Sequence, residues 1–399
     1  MVVLPCHDEP DLLSALAALR RCDSPACAVE VIVVINAAAG SGPEVAARNA
    51  RSLADAERWR AEQAEPRFRV FPLSFPELPA RQAGVGLARK IGMDEAAARL
   101  DEVGNSGGVI AGFDADCGCE PNYLQSLERF FGENPRVEAA SVYFEHRLEL
   151  APEPAIREGI LLYELYLRYF ILGLKHSGHP FAYHTLGSSM AVRGDAYQRQ
   201  GGMNRRQAGE DFYFLGKFMA IGKLGEIRDS TVFPSPRPSH RVPFGTGKAM
   251  TDWLAGPRTG FPVFHPQIFA DLQAFLSRVP ELYAPPAPEP LVFMAGLPRP
   301  VAEFLEKTGF AERLAELRRN SGREATFRKR FFRWFDRLRV LKYAHYATAR
   351  AYPKIPVAQA ARTMLGWVNG RPEESGSAEA LLTRLRGLGR VGLPPRKKL

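Results

Sequence analysis

Asp114 and Asp116 close a short apolar run at 109–113, and two carboxylates one residue apart at such a place outline a metal site. Side chains alternate along a strand, so both would leave its carboxyl end on the same side. Paired hard oxygen donors suit Mg²⁺ or Mn²⁺ sharing its coordination with phosphate oxygens. By itself the tripeptide is equally a turn or a helix cap. A second acidic pair, Glu210 and Asp211, follows Gly209 and opens a helical pattern, where acidic residues ordinarily cap or balance the helix dipole. Between 232 and 248 the chain is broken by prolines and glycines and carries Arg237, His240, Arg241 and Lys248. No regular element survives so many breakers. A loop of that kind suits phosphate oxygens and could close as a lid; the plainer alternative is a solvated surface loop.

The elements that would position these groups read as an alternation. Strands are predicted over 2–5, 29–35, near 68–71 and over 109–113, and helices over 11–20, 43–60 and 84–100. Strand and helix in strict turn predict a parallel sheet with right-handed crossovers, and open sheets of this kind bind ligands at the carboxyl ends of their strands. Beyond 120 the pattern predicts helices at 121–131 and 154–174, strands at 137–144 and 187–193, and a helix from Glu210. The expected fold class is α/β, a Rossmann-type, mostly parallel central sheet flanked by helices, with a mainly helical C-terminal extension. Its expected divisions are 1–120, 121–250 and 251–399.

With 399 residues, 46% of them hydrophobic and 24% charged, the chain is an ordinary globular one. The start, Met1-Val2-Val3-Leu4-Pro5, reads as a strand and lacks the basic and apolar pattern of a signal peptide. The apolar stretch 160–174 carries Glu164 and Arg168 and falls short of the ~20 residues of a bilayer span. Five cysteines without Cys-x-x-Cys or Cys/His spacing argue against zinc and for a reduced, cytoplasmic compartment. The net charge of +9 is uneven: residues 301–399 hold 22 Lys and Arg against 9 Asp and Glu, leaving 31 against 35 elsewhere. A nucleic-acid partner inferred from the whole-chain charge would therefore be misplaced. Within that tail Phe327, Phe331, Trp334, Phe335, Leu338 and Leu341 recur at helical spacing opposite Arg328, Lys329, Arg333, Arg337 and Lys342. Such a helix either docks on protein or lies on anionic lipid, which would give peripheral contact with the inner membrane face through 323–346.

In order and spacing these motifs resemble glycosyltransferase family 2, inverting enzymes of GT-A fold, over about residues 2–250. Pro5-Cys6-His7-Asp8-Glu9 is similar to the family's Pro-x-x-Asn-Glu, with Asp8 where Asn is usual; Asp114-Ala115-Asp116 is similar to its Asp-x-Asp, and Gly209-Glu210-Asp211 to its later Glu-Asp pair. The resemblance implies a nucleoside-diphosphate sugar as donor and a hydroxyl acceptor. It also implies Mg²⁺ or Mn²⁺ on Asp116, with Asp114 on the metal or the ribose and His240 as a further ligand. Asp211 would be the general base, with Glu210 orienting a neighbour or the acceptor. Nucleotide contacts would come from Pro5, His7, Glu9, Asn36, Arg89 and Lys90, and diphosphate contacts from Arg241 and Lys248. Gly84 and Gly86 would leave room for close approach.

Two departures refine the expectation. Ile35-Asn36-Ala37-Ala38 stands where Asp-Asp-Gly-Ser is common, removing a carboxylate that could read a uracil edge. The Gln-x-x-Arg-Trp of processive members is absent and Arg241-Val-Pro-Phe-Gly-Thr-Gly-Lys248 stands instead, which points to single transfer. The competing readings are nucleotidyl transfer on a related sheet, a non-catalytic membrane- or nucleic-acid-binding protein using the basic tail, and an inactive glycosyltransferase. Nucleotidyl transfer would want a Gly-rich cationic loop after the first strand, where this chain is acidic.

Overall fold

The computed structural model describes all residues except 64, 240–244, 258, 284–285, 373–375 and 393–399. Two units divide the chain: Met1–Ile160 with His184–Gly256 and Gly387–Leu399, and Leu161–Tyr183 with Pro257–Arg386.

In the first unit the apolar runs become the centre of an eight-stranded sheet. Its chain order is β1 (Val2–Cys6), α1 (Leu12–Arg20), β2 (Val29–Ala38), α2 (Pro43–Glu62), β3 (Phe68–Leu78), α3 (Val85–Glu102), β4 (Val109–Gly112), β5 (Gly118–Cys119), α4 (Tyr123–Glu133), β6 (Ala139–Phe144), then α5 (Pro154–His176), which carries the chain into the second unit, followed by β7 (Met190–Arg193), α6 (Gly194–Arg199), α7 (Glu210–Ile221), β8 (Leu224–Phe233) and α8 (Thr246–Ala255). The strand order is β3-β2-β1-β4-β7-β6-β8-β5. β3, β2, β1 and β4 run parallel, β7 is antiparallel to both β4 and β6, and β6 and β8 are parallel. This is the expected α/β class, a mostly parallel central sheet flanked by helices.

Both faces of the central strands are covered, which is why β1 and β2 read as unbroken apolar runs. Leu4, Val31, Val33 and Ile35 pack in one core with Leu12, Leu16 and Leu19 of α1 and Leu124 and Leu127 of α4. Each such fully buried aliphatic side chain contributes about 1.5–3 kcal/mol. On the other face α3 comes so close that a Cβ on Gly92 would lie 2.4 Å from Val3 Cγ1 and 3.0 Å from Val34 Cγ2.

Several elements differ from the sequence reading. β3 runs to Leu78 through Pro72 and Pro76, because it is the outer strand of the sheet, where a missing N–H costs little. β8 was not predicted: Glu226, Arg228 and Asp229 interrupt its apolar pattern. β4 ends at Gly112 and not at Phe113. Beside it Val3 O accepts from Phe113 N at 3.0 Å, and Pro5, two residues on, has no N–H with which to continue that ladder.

The second unit is helical. Its elements are β9 (Pro262–Val263), α9 (Gln267–Leu276), α10 (Pro290–Ala295), α11 (Arg299–Lys307), α12 (Phe310–Arg319), α13 (Glu324–Trp334), α14 (Arg337–Arg350), β10 (Ile355–Pro356), α15 (Val357–Asn369) and most of α16 (Ala378–Val391). The basic amphipathic stretch is two helices rather than one: Asp336 caps the second by accepting from Arg339 N at 2.9 Å. Its rings are buried inside this unit, with the ring centre of Phe331 5.9 Å from that of Phe275, tilted, and that of Phe335 5.2 Å from it, edge-on. That burial leaves these rings no face to lay on lipid and matches the reading of a helix docked on protein. Among the described residues no helix is long and apolar enough to cross a membrane.

Candidate active site at the carboxyl edge of the sheet

The chain leaves β1, β2, β4, β6 and β8 at one edge of the sheet, and β7, running the other way, enters there. Asp114 and Asp116 leave β4 through a turn in which Asp114 O accepts from Cys117 N at 3.0 Å. The alternation expected of a strand persists through it: Phe113, Ala115 and Cys117 are buried in the core, and the two aspartates face outward, half-buried. One carboxylate oxygen of each aspartate and the Cys117 thiol lie within 4.8 Å of one another. Burial and the two nearby carboxylates push the Cys117 thiol well above its ordinary value, keeping it protonated.

The guanidinium that organises this edge belongs to Arg89, on α3. It is 1% exposed and donates from Nη2 to Asp114 Oδ1 at 2.9 Å, from Nη1 to Gly187 O at 2.8 Å and from Nε to Glu210 Oε1 at 3.1 Å. Burial opposes its charge, and Asp114 and Glu210 more than restore it. Two glycines make room: a Cβ on Gly187 would lie 2.4 Å from Arg89 Nη2, and one on Gly112 would lie 2.4 Å from Gly187 O and 3.1 Å from Arg89 Nη1. Arg89, expected as a phosphate or base partner, is an internal bridge in this structure: each of its three nitrogens donates to a protein acceptor. Lys90 pairs with Asp94 at 2.7 Å. Gly84 and Gly86 do allow close approach, but of Gln207 and Arg206: a Cβ on Gly86 would lie 2.0 Å from Arg206 O.

Through Arg89, the start of α7 is tied to the aspartate turn. Glu210 is buried. Asp211 is half-buried, and its carboxyl is pushed up to about 7. Burial is the main cause and the Glu210 charge the second, offset in part by Arg89 and by the backbone N–H groups of Phe212 and Gly187.

Around β1 and β2 the predicted nucleotide residues are held by a network of their own. His7 Nδ1 lies 2.8 Å from Asn36 O, and Asn49 Nδ2 donates to the same carbonyl at 2.9 Å. Asp8 adopts φ 52°, a left-handed conformation that Asn and Asp tolerate best among non-glycines; its N–H donates to Asn49 Oδ1 at 2.9 Å. The Asn36 side chain is buried, and its Oδ1 has no hydrogen-bond partner among the described residues. Glu9, also buried, accepts from Asp11 N at 3.0 Å and from Arg237. Arg237 reaches Asp116 Oδ2 as well, at 3.5 Å. It was seen in the sequence only as one cation of the loop. Its neighbours Pro236 and Pro238 marked the loop but carried no signal of which acid it would meet. Lys248 sits in the first turn of α8 and pairs with Asp252. His240 and Arg241 lie outside the described residues.

Thus Pro5, His7, Glu9, Asn36, Asp114, Asp116, Glu210 and Asp211 are all placed on the segments that meet at this edge. The arrangement offers oxygen donors for a cation, a carboxyl able to exchange a proton near neutral pH, and a buried polar group beside β2.

No protein-family model matches the sequence, and no curated protein matches it either. Among solved structures, the chain is similar to Staphylococcus aureus TarS 1–349 in complex with UDP-GlcNAc. The identity is 14% and the TM-score 0.42, over 76% of this chain and 82% of that one. It is also similar to the mannosyltransferase PcManGT from Pyrobaculum calidifontis in complex with GDP-Man and Mn²⁺, at 16% identity and TM-score 0.37 over 98% and 86%. Likeness at this level carries no assignment of residues or substrates.

Proposed function

We propose that the protein is an inverting glycosyltransferase that moves one sugar from a nucleoside-diphosphate sugar to an acceptor hydroxyl, assisted by Mg²⁺ or Mn²⁺. The observation that carries the reading is the Arg89 bridge. It joins Asp114, on the side that would hold the leaving group, to the helix start bearing Asp211, so both halves of a displacement at one carbon are served from one pocket.

The donor set fits a hard cation. Asp114 and Asp116 present oxygens within 4.8 Å, and the protonated Cys117 thiol leaves the coordination to them. When bound, Mg²⁺ or Mn²⁺ would supply Lewis-acid stabilisation of charge on a departing diphosphate. Arg237 would release Asp116 and meet a phosphate oxygen instead, with Arg241 of the same loop and Lys248 at the start of α8 as further cations. The Asn36 side chain, with its unpartnered oxygen, would face the base and accept from it or, turned over, donate to it. His7 and Glu9 shape that wall.

At the other face of the sugar, Asp211 takes the proton of the acceptor hydroxyl. A carboxyl near 7 is a far better proton acceptor than an ordinary one and is still half ionised at neutral pH, the compromise general-base catalysis requires. Glu210, fixed by Arg89, orients α7 and raises Asp211 through like charge. The single-transfer character rests on the absence of a Gln-x-x-Arg-Trp segment.

A thermal-shift panel of UDP-, GDP- and dTDP-sugars with and without Mn²⁺ tests the reading. Stabilisation by one base class that needs the metal, followed by metal-dependent sugar transfer to a hydroxyl acceptor, is the expected result. No metal-dependent shift with any of the three would overturn it.

A further inference from the structure

Cys22, just beyond α1, and Cys119, in β5, bring their sulfurs to 3.5 Å although 97 residues separate them. Neither is used by the chemistry above. We propose that Cys22 and Cys119 form a reversible disulfide, a modification site that locks the exit of the Asp114–Asp116 turn to the end of α1.

Three features favour it. The pair is already at contact distance, and the approach is held from both sides: Cys22 Sγ is 3.5 Å from Ala18 O and 3.8 Å from Glu120 O. The segment carrying Cys119 is a two-residue edge strand paired, among the described residues, with β8, and just beyond it Pro121 O accepts from Asp23 N at 2.8 Å, which keeps the two cysteine segments together. The pair is also unequal in the sense exchange chemistry requires. The contact with Cys119 is the main influence pulling the Cys22 thiol down, with the Leu124 backbone and Arg21 acting the same way against burial, whereas Cys119 is pushed up. Cys22 is buried and Cys119 half-buried. The remaining thiols differ: Cys6 and Cys117 are buried and Cys27 is exposed.

The oxidant is a small-molecule disulfide such as glutathione disulfide. The Cys22 thiolate attacks one of its sulfurs, that S–S bond breaks, and one glutathione leaves as thiolate and takes up the proton Cys22 gave. Cys119 then loses its proton, attacks Cys22 Sγ and displaces the second glutathione, which leaves as thiol. Two protein thiols lose two electrons and two protons, and one disulfide becomes two thiols. A pair of this kind is compatible with a reducing compartment as a transient, redox-poised bond.

The test uses the full chain equilibrated across a series of reduced-to-oxidised glutathione ratios, quenched with an alkylating reagent under denaturing conditions, digested and analysed by mass spectrometry. Expected is the joint loss of alkylated Cys22 and Cys119 and the appearance of one cross-linked peptide pair lighter by two hydrogens. Cys6, Cys27 and Cys117 should give no cross-link, and dithiothreitol should reverse the change. Oxidation should also raise the thermal midpoint, because a long loop is closed, and Cys119→Ser should abolish both effects. Alkylation of both thiols at every ratio, or cross-linking of Cys119 to Cys117 or Cys27 instead, would overturn the proposal. The wild-type measurement decides it even if the variant does not fold, and it does not depend on the proposed transfer reaction.

Discussion

Replacing Asp211 by Asn separates a catalytic carboxylate from a structural one by two opposite effects. The Asp211 carboxyl moves from 3.8 in an ordinary setting to about 7 in the fold. Ionising it in the native state therefore costs about 4 kcal/mol at 1.36 kcal/mol per pH unit, and sharing the repulsion with Glu210 brings the expected figure to about 2–4 kcal/mol. The sign follows from proton counting. Between pH 4 and 7 the native chain binds more protons at this site than the unfolded one, so stability falls as pH rises through that window and is level above it. Asn keeps the shape and an oxygen for the Phe212 N–H, which Asp211 Oδ1 now accepts at 2.6 Å, but cannot ionise. Asp211→Asn should thus be no more stable than wild type near pH 4 and about 2–4 kcal/mol more stable at pH 8, read by urea denaturation at each pH. Sugar transfer should fall by about 10²–10⁴-fold, the usual worth of a general base. The wild-type rate should rise with pH through a midpoint close to 7. A stability difference independent of pH, or a variant that keeps most of its turnover, would refute the assignment.

Gly187→Ala places a methyl 2.4 Å from Arg89 Nη2 and should lower stability by about 1–3 kcal/mol, with a fall in transfer rate larger than the change in donor KM. Arg89→Met leaves Asp114 and Glu210 without their cation; loss of about 3–5 kcal/mol in denaturant titration is expected, and a loss within 1 kcal/mol would show that the bridge is dispensable. Arg237→Gln frees Asp116 from a half-exposed competitor, so calorimetry without nucleotide should find Mn²⁺ bound up to about five-fold more tightly, while donor affinity in the presence of Mn²⁺ falls.

What the sequence disclosed, and what it hid, follows from the range of the interactions. β1, β2 and β4 were legible because helices bury both of their faces and leave continuous apolar runs. β8 was not, because Glu226, Arg228 and Asp229 interrupt its pattern outside the two positions, Val232 and Phe233, that β5 covers, and the length of β3 was masked by prolines that only an outer strand accepts. The aspartate pair was legible as local chemistry. The Arg89 bridge was not: its partners lie 25 and 121 residues away, and an arginine in a helix beside two glycines looks the same whether it faces a phosphate or a carboxylate. Gly112 and Gly187, the residues that make room for it, carry no mark of their own in the sequence.

The charges at the edge make cation binding a physical requirement of the proposed reaction. Glu9, Asp114, Asp116, Glu210 and Asp211 are set against Arg89 and Arg237, and Arg89 is already bonded to Asp114, Gly187 and Glu210. A diphosphate entering such a pocket alone would face carboxylates at close range in a partly desolvated setting, where like charges repel far more than in water. Asp114 and Asp116 would hold a divalent cation whose charge would offset that local field, and Arg237 would then be free to turn from acid to phosphate. Binding of metal and of nucleotide must then favour one another by the same factor, since linkage is reciprocal. In the proposed reaction the acids that would repel the leaving group would thus recruit the charge that stabilises it, and Arg89 already holds Asp114 and Glu210 in place.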